Sequence, residues 1–137
     1  MSKKVISTSK APAAIGPYSQ ANFINGVLYI SGQIPIDPET GNLVDGIEKE
    51  THQVMKNLKA ILEEAGLTFS NVVKATIFLK NMDDFAAMNQ IYASYLDENS
   101  YPARETVQVS CLPKNSANLA SSGRFFSHPE LELLLEV

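Results

Sequence analysis

The residue best suited to bind a charged ligand is Arg104, which follows Tyr101 and Pro102 at the start of a predicted strand. Pro102 has no backbone N–H and favours an extended residue before it, so it fits the step that leads into a strand. The guanidinium group is a planar fork of donors that binds a carboxylate or a phosphate through two parallel hydrogen bonds. We therefore predict that Arg104 binds an anionic small molecule. The alternative from these residues alone is a surface ion pair with a neighbouring acid, the commoner role of a surface arginine.

The strand that should carry Arg104 shows a clear alternation. Val107, Val109 and Cys111 are separated by polar residues, and a period of two predicts a strand with one buried face. Cys111 falls on the apolar side, so we expect a small buried thiol and not a nucleophile. It is the only cysteine of the chain, and the absence of an internal disulfide suits a reducing compartment.

A hairpin and a long helix are predicted upstream of this strand. Asn25-Gly26 separates two apolar runs, and both residues accept the positive φ that a tight hairpin turn requires. Apolar residues then recur every three or four positions over residues 47–65, which predicts an amphipathic helix of about five turns. Asp45 and Glu48 have the spacing of a capping box at its start.

A second strand and helix follow. Residues 72–79 are rich in β-branched side chains, which predicts a strand, and Asn81 and Asp84 mark the start of the next helix. Asn89 interrupts the apolar face of that helix. A buried amide needs hydrogen-bond partners, so Asn89 either braces a loop or faces a polar site.

The C-terminal part predicts a long loop and a last strand. Residues 115–128 are long for a loop without elements of its own, and apolar residues alternate over 131–137. The order of elements predicts one α+β domain over residues 1–137, with two helices on one face of a sheet. The other sheet face would then be bare, and association of subunits is its simplest cover.

Composition limits the classes of function. The 137 residues are 45% hydrophobic and 19% charged, a balance typical of a globular domain and not of a disordered chain. A net charge of −4 lacks the basic surface of a nucleic-acid binder. No apolar run suits a signal peptide or a membrane span, so we expect a soluble, cytoplasmic protein. Histidines and cysteines do not cluster, and no glycine spacing suits a phosphate loop, so we expect neither a metal nor a cofactor.

Five motifs in order resemble the reactive intermediate deaminase family, also called the YjgF or Rid family. They are AIGPYSQ at 14–20, SGQIP at 31–35, AGL at 65–67, VKATIFL at 73–79 and YPAR at 101–104. The resemblance covers roughly residues 12–114. It implies a mixed sheet backed by two helices, of the chorismate mutase-like type, assembled as a homotrimer with active sites between subunits. It also implies hydrolysis of 2-imino acids, such as 2-iminopropanoate and 2-iminobutanoate, to 2-keto acids and ammonia.

The resemblance assigns a role to individual residues. Arg104 would bind the substrate carboxylate, and Tyr18 would line the pocket from the proline-containing loop. Ser31 and Gly32 would contribute from the end of the central strand, and Asn89 would face the cleft from the second helix.

Two positions depart from the family's pattern. Thr106 stands where many members have cysteine, and the role of that position is largely the backbone's. Members of the family carry a glutamate on the last strand that positions the attacking water. Without a gap in the alignment, Leu119 occupies the position of that glutamate, and a leucine side chain cannot position water. If residues 115–128 are an insertion, Glu130 is the best candidate for the water-positioning role, and Glu132 on the same face is the alternative.

Other functions are compatible with these residues. An imine is already electrophilic, so hydrolysis needs little beyond a bound carboxylate, an oriented water and a proton acceptor. Without the glutamate, the Arg104 cleft would bind a keto acid or a related metabolite without turning it over. A ribonuclease or translation inhibitor, a function attached to parts of the family, fits poorly with the acidic charge balance.

Overall fold

The computed structural model describes residues 2–112 and the backbone of residues 131–136. These residues form six strands and two α-helices, so the predicted α+β class is confirmed. The elements are β1 (Lys4–Ile6), β2 (Ala21–Ile24), β3 (Val27–Gln33), α1 (Ile47–Glu64), β4 (Lys74–Leu79), α2 (Phe85–Ser94), β5 (Ala103–Gln108) and β6 (Leu131–Glu136).

The strands form one mixed sheet in the order β1-β2-β3-β6-β4-β5. The pair β4 and β5 is parallel, and the other neighbours are antiparallel. Because β6 is antiparallel to both β3 and β4, those two strands run in the same direction. Helix α1 therefore connects two parallel strands, as α2 does between β4 and β5, and the last strand lies in the middle of the sheet.

One face of the sheet and the inner faces of both helices form the core. Alternate residues of β4 are buried, as the period of two requires, and in β3 a bulge between Ile30 and Gln33 shifts that period by one residue. Full burial of one such side chain contributes about 1.5–3 kcal/mol. The buried residues of these elements include Leu28, Ile30, Val54, Met55, Leu58, Ile61, Leu62, Ala75, Ile77, Leu79 and Met88.

Two turns illustrate where local prediction succeeds and fails. Asn25 and Gly26 have φ angles of 54° and 79°, so the predicted hairpin turn is confirmed. The predicted capping box is wrong: α1 begins after Gly46, whose φ is 97°, and no side chain caps it. Asp45 therefore precedes the cap residue and Glu48 lies in the first turn, because the chain enters the helix through a conformation that favours glycine.

The other face of the sheet is exposed in the single chain. Val5, Tyr29 and Val107 on this face are 54%, 50% and 44% exposed. The expectation that Val107 and Cys111 lie on a buried face is wrong within one chain, since Cys111 is also exposed. The helices instead cover the alternate residues of β5, Arg104 and Thr106, which are half-buried.

The two helices are also joined at the surface. His52 is exposed, and its Nδ1 lies 2.8 Å from the hydroxyl of Tyr95, just beyond α2. Within the described residues, neither helix combines the length and the apolar character that crossing a bilayer requires.

Candidate functional site

Arg104 is held against α2 by one hydrogen bond and two aromatic rings. It lies opposite Ala75 of β4, a fully buried residue beneath the helices. Its Nη1 donates to Oδ1 of Asn89 at 2.5 Å. Its Cζ is 5.0 Å from the ring centroid of Tyr92 and 5.6 Å from that of Phe85, within the range of cation–π contacts. Three side chains of one helix thus fix the position of the guanidinium.

No carboxylate neutralises Arg104 among the side chains that the structure describes. Ion pairs in that part of the chain include Lys59–Glu63 at 3.9 Å and Lys74–Glu105 at 3.4 Å, and neither involves Arg104. The surface ion pair that the sequence left as an alternative is therefore not found there. Asn89 accepts one of the five N–H donors of the guanidinium and leaves its charge intact. A half-buried, unneutralised arginine favours the binding of an anion.

A cavity of about 370 Å³ lies beside the guanidinium. Its volume is at the lower end of the range for ligand pockets, ~300–1,000 Å³, which suits a small metabolite. It is lined by Asn89, Tyr92, Ala93, Tyr101, Pro102 and Arg104.

Two buried hydroxyl groups near Arg104 have no hydrogen-bond partner among the described residues, those of Tyr92 and Thr106. Burial raises the pKa of Tyr92, although the charge of Arg104 acts in the opposite direction, so the phenol is protonated at neutral pH. A buried polar group without a partner costs about 1–3 kcal/mol, so a bound ligand that accepts a hydrogen bond would recover part of that cost. We call Asn89, Arg104 and Thr106 the arginine group.

The other predicted site residues lie together around the proline-containing loop. Tyr18 and Gly32 line a second cavity of about 310 Å³. Ser31 donates through Oγ to the carbonyl of Ser19 at 2.6 Å, and its N–H donates to the carbonyl of Gln20 at 2.9 Å. These two bonds attach the loop to the end of β3. We call Tyr18, Ser31 and Gly32 the loop group.

The structure does not bring the two groups together within one chain. Arg104 is at the level of Ala75, Leu135 and Ile30 across the sheet, and Ser31 follows Ile30. Three strand spacings of ~4.8 Å therefore separate the backbones of Arg104 and Ile30, about 14 Å. Ile30 and Gln33 are both buried beneath the helices, and a bulge in β3 places Ser31 and Gly32 between them. These two residues therefore lie opposite Leu134, whose neighbours Thr76 and Glu105 are on the uncovered face, so Ser31 is on the opposite face of the sheet from Arg104.

The candidates for positioning water lie at the C-terminus. Glu130 and Leu119 are outside the described residues. The last strand runs over Leu131–Glu136, so Glu132 is on it and Glu130 precedes it. The backbone of Glu132 pairs with Phe78 of β4.

Sequence reasoning missed three residues around Arg104. The sequence pattern predicts no role in the site for Tyr92, Ala93 or Tyr101. Tyr92 lies three positions after Asn89, and Ala93 lies four positions after it, which is the spacing of neighbours on one helix face. The position of Asn89 was therefore a usable signal for both residues. Tyr101 lies three residues before Arg104, and its place in the cavity depends on how the chain enters β5.

Comparison with known proteins agrees with this geometry. A family model described as Endoribonuclease L-PSP matches residues 8–118. A RutC family protein of Pyrococcus abyssi is 54% identical over 116 residues, which are 84% of this chain and 91% of that protein. A mouse (Mus musculus) protein named 2-iminobutanoate/2-iminopropanoate deaminase is 52% identical over 115 residues, 83% of this chain and 84% of its own length.

A solved structure shows the same fold. The Rid family protein YyfA of Yersinia pestis superposes with a TM-score of 0.88 at 47% identity, over 99% of this chain and 98% of that one. The family model alone covers well over half of the 137 residues, and its match agrees in extent with the five motifs. The chain therefore belongs to the endoribonuclease L-PSP family, the Rid or YjgF family of reactive intermediate deaminases.

Proposed function

We propose that this protein hydrolyses 2-imino acids, such as 2-iminopropanoate and 2-iminobutanoate, to 2-keto acids and ammonia. The observation that carries the proposal is the guanidinium of Arg104, which has no carboxylate partner among the described side chains and lines a cavity of metabolite size. Two of its donors would bind the substrate carboxylate in parallel. The name of the mouse relative supports the reaction class.

The reaction needs positioning more than strong chemical groups. The oxygen of water adds to C2 of the protonated imine, and the π electrons of the C=N bond move to nitrogen. A base takes one proton from the added water, which leaves a hydroxyl group on C2, and the nitrogen gains a proton. The C–N bond then breaks with its electron pair on the leaving ammonia, as the hydroxyl oxygen forms the C=O bond of the keto group and gives its proton to the base. The protein's part is to hold the carboxylate, orient the water and accept a proton. Arg104 would do the first, and we assign the other two to Glu130.

We infer that a complete site combines the arginine group of one subunit with the loop group of the next in a homotrimer. Two observations support this arrangement. The two groups lie on opposite faces of the sheet in one chain, and that sheet exposes Val5, Tyr29 and Val107 on its uncovered face. Burying such apolar surface stabilises association.

The test is the disappearance of 2-iminobutanoate, generated in place by a threonine dehydratase and trapped with semicarbazide. Wild type should accelerate its loss. Arg104→Ala should lower kcat/KM by about 100-fold or more, because two hydrogen bonds to a charged group contribute about 3 kcal/mol or more. Lys80→Ala removes an exposed cation and is the matched control. Equal rates for wild type and Arg104→Ala would contradict the assignment of Arg104.

Two further variants separate hydrolysis from simple binding. Glu130→Gln should lose turnover yet bind 2-oxobutanoate with the wild-type Kd in calorimetry, whereas Glu132→Gln should keep both. If wild type binds 2-oxobutanoate and turns over no imine, the protein is a metabolite-binding module. If Glu130→Gln hydrolyses the imine at the wild-type rate, the role assigned to Glu130 is wrong.

A further inference from the structure

The cavity beside Arg104 is lined by side chains of two chemical kinds. Arg104 and Asn89 are polar and share a hydrogen bond. Ala93 and Pro102 are apolar, and Tyr92 and Tyr101 supply aromatic rings. Ala93 is the penultimate residue of α2, half-buried and one helical turn after Asn89. Tyr101 is 54% exposed and lies directly before the strand that carries Arg104.

The position of the carboxylate decides what these residues contact. In a 2-imino acid the group attached to C2 is two covalent bonds from the carboxylate carbon and points away from it. With the carboxylate on Arg104, that group would lie among the other residues that line the same cavity. Of these, Ala93 offers only a methyl group, and Tyr101 offers a ring that is 54% exposed.

We propose that Ala93 and Tyr101 are specificity-determining residues that select substrates with short, unbranched side chains. This rests on the proposed function, because it assumes that the carboxylate is bound by Arg104. The small side chain of Ala93 leaves room for a methyl or ethyl group. The ring of Tyr101 limits extension toward solvent, and a cavity of about 370 Å³ must also hold the carboxylate, the imine and a water. A mismatch of one methylene in such a pocket changes kcat/KM by ~10- to 200-fold.

The test compares three imines that differ only in the group on C2. Alanine, 2-aminobutanoate and leucine are oxidised in place by an L-amino acid oxidase with catalase, and semicarbazide traps the imine that remains. Ala93→Leu should lower kcat/KM for the leucine-derived imine at least ~10-fold relative to the alanine-derived imine. Tyr101→Ala should raise the ratio of kcat/KM for the leucine-derived imine to kcat/KM for the alanine-derived imine. Tyr101→Phe, which keeps the ring, should leave this ratio at the wild-type value.

The matched control is Ala86→Leu, the same change at an exposed position of α2 that does not line the cavity. It should leave the ratio unchanged. Tyr101 is half-exposed, so Tyr101→Ala carries the test if Ala93→Leu does not fold, as judged by circular dichroism. Wild-type ratios in the folded Ala93→Leu and Tyr101→Ala proteins would overturn the inference.

A binding measurement distinguishes this inference from the proposed function. Calorimetry gives the Kd values of pyruvate, 2-oxobutanoate and 4-methyl-2-oxopentanoate for each variant. If wild type hydrolyses no imine but the variants shift these Kd ratios as described, hydrolysis is wrong and the side-chain assignment stands. If wild type hydrolyses imines but the variants change neither the kcat/KM ratios between imines nor the Kd ratios between keto acids, hydrolysis stands and the side-chain assignment is wrong.

Discussion

At the scale of single residues, the chemistry of the site depends on a neutral partner for Arg104. Asn89 orients the guanidinium with its amide oxygen and leaves the positive charge available to a ligand. An aspartate at the same position would orient it equally well and neutralise it. The amide therefore explains how Arg104 can be held in place without losing affinity for an anion.

This argument predicts the effect of a nearly isosteric change. Asn89→Asp should pair with Arg104 and raise the Kd for 2-oxobutanoate by about 10-fold or more, because the new carboxylate competes with the ligand. Titration calorimetry measures the Kd. The control is Gln90→Glu, which adds the same charge at the exposed neighbouring position. An equal loss of affinity in both variants would indicate a general charge effect and contradict a direct competition at Arg104.

At the scale of elements, the pairing of β4 with β5 brings Arg104 to α2. On the uncovered face of this pair, Thr76 donates to Glu105 at 2.9 Å and Lys74 lies 3.4 Å from the same carboxylate. The hydrogen bond from Thr76 and then the charge of Lys74 lower the pKa of Glu105. A carboxyl with a lowered folded-state pKa stabilises the protein above its unfolded-state pKa. That stabilisation is lost as the pH falls through the folded-state pKa.

The acid side of the stability profile should therefore respond to this residue. Glu105→Gln should reduce the drop in urea midpoint between pH 7 and pH 3, because the variant has no carboxyl to protonate there. The effect should be small, since the side chain is exposed to solvent. Glu98→Gln changes an exposed loop carboxylate and is the control. If Glu105→Gln and wild type lose stability in parallel as the pH falls, the cross-strand contact does not contribute to folding.

At the scale of the whole molecule, the separation of the arginine group from the loop group is the main feature. About 14 Å and the thickness of the sheet lie between them in one chain. A site built from both groups requires two subunits. A substitution in either group would then inactivate only the half of each site that its own subunit contributes.

Mixed oligomers test this arrangement directly. Arg104→Ala and Tyr18→Ala should each be inactive toward 2-iminobutanoate as pure proteins. After denaturation and refolding together, activity should reappear, because some interfaces then combine an intact arginine group with an intact loop group. Light scattering should give the mass of a trimer for all samples. If the mixture remains as inactive as its components, the site is not shared between subunits.

The sequence by itself determined the features that depend on neighbouring residues. β-Branched residues predicted β4, a period near 3.6 predicted α1, and Asn25-Gly26 predicted the hairpin, because each pattern reflects a local backbone geometry. The chemistry of the Arg104 side chain predicted that it binds an anion, and the ordered motifs indicated the family.

Only the tertiary structure decided how distant residues meet. The contact between Arg104 and Asn89 spans 15 positions and depends on how α2 packs on β5. The insertion of β6 between β3 and β4, and the exposure of Val107, depend on strand order and on which face the helices cover. Alternation shows that a strand has two faces but not which one meets the core, because that choice follows from contacts far apart in the chain. The placement of the arginine group and the loop group on opposite faces of the sheet has the same origin.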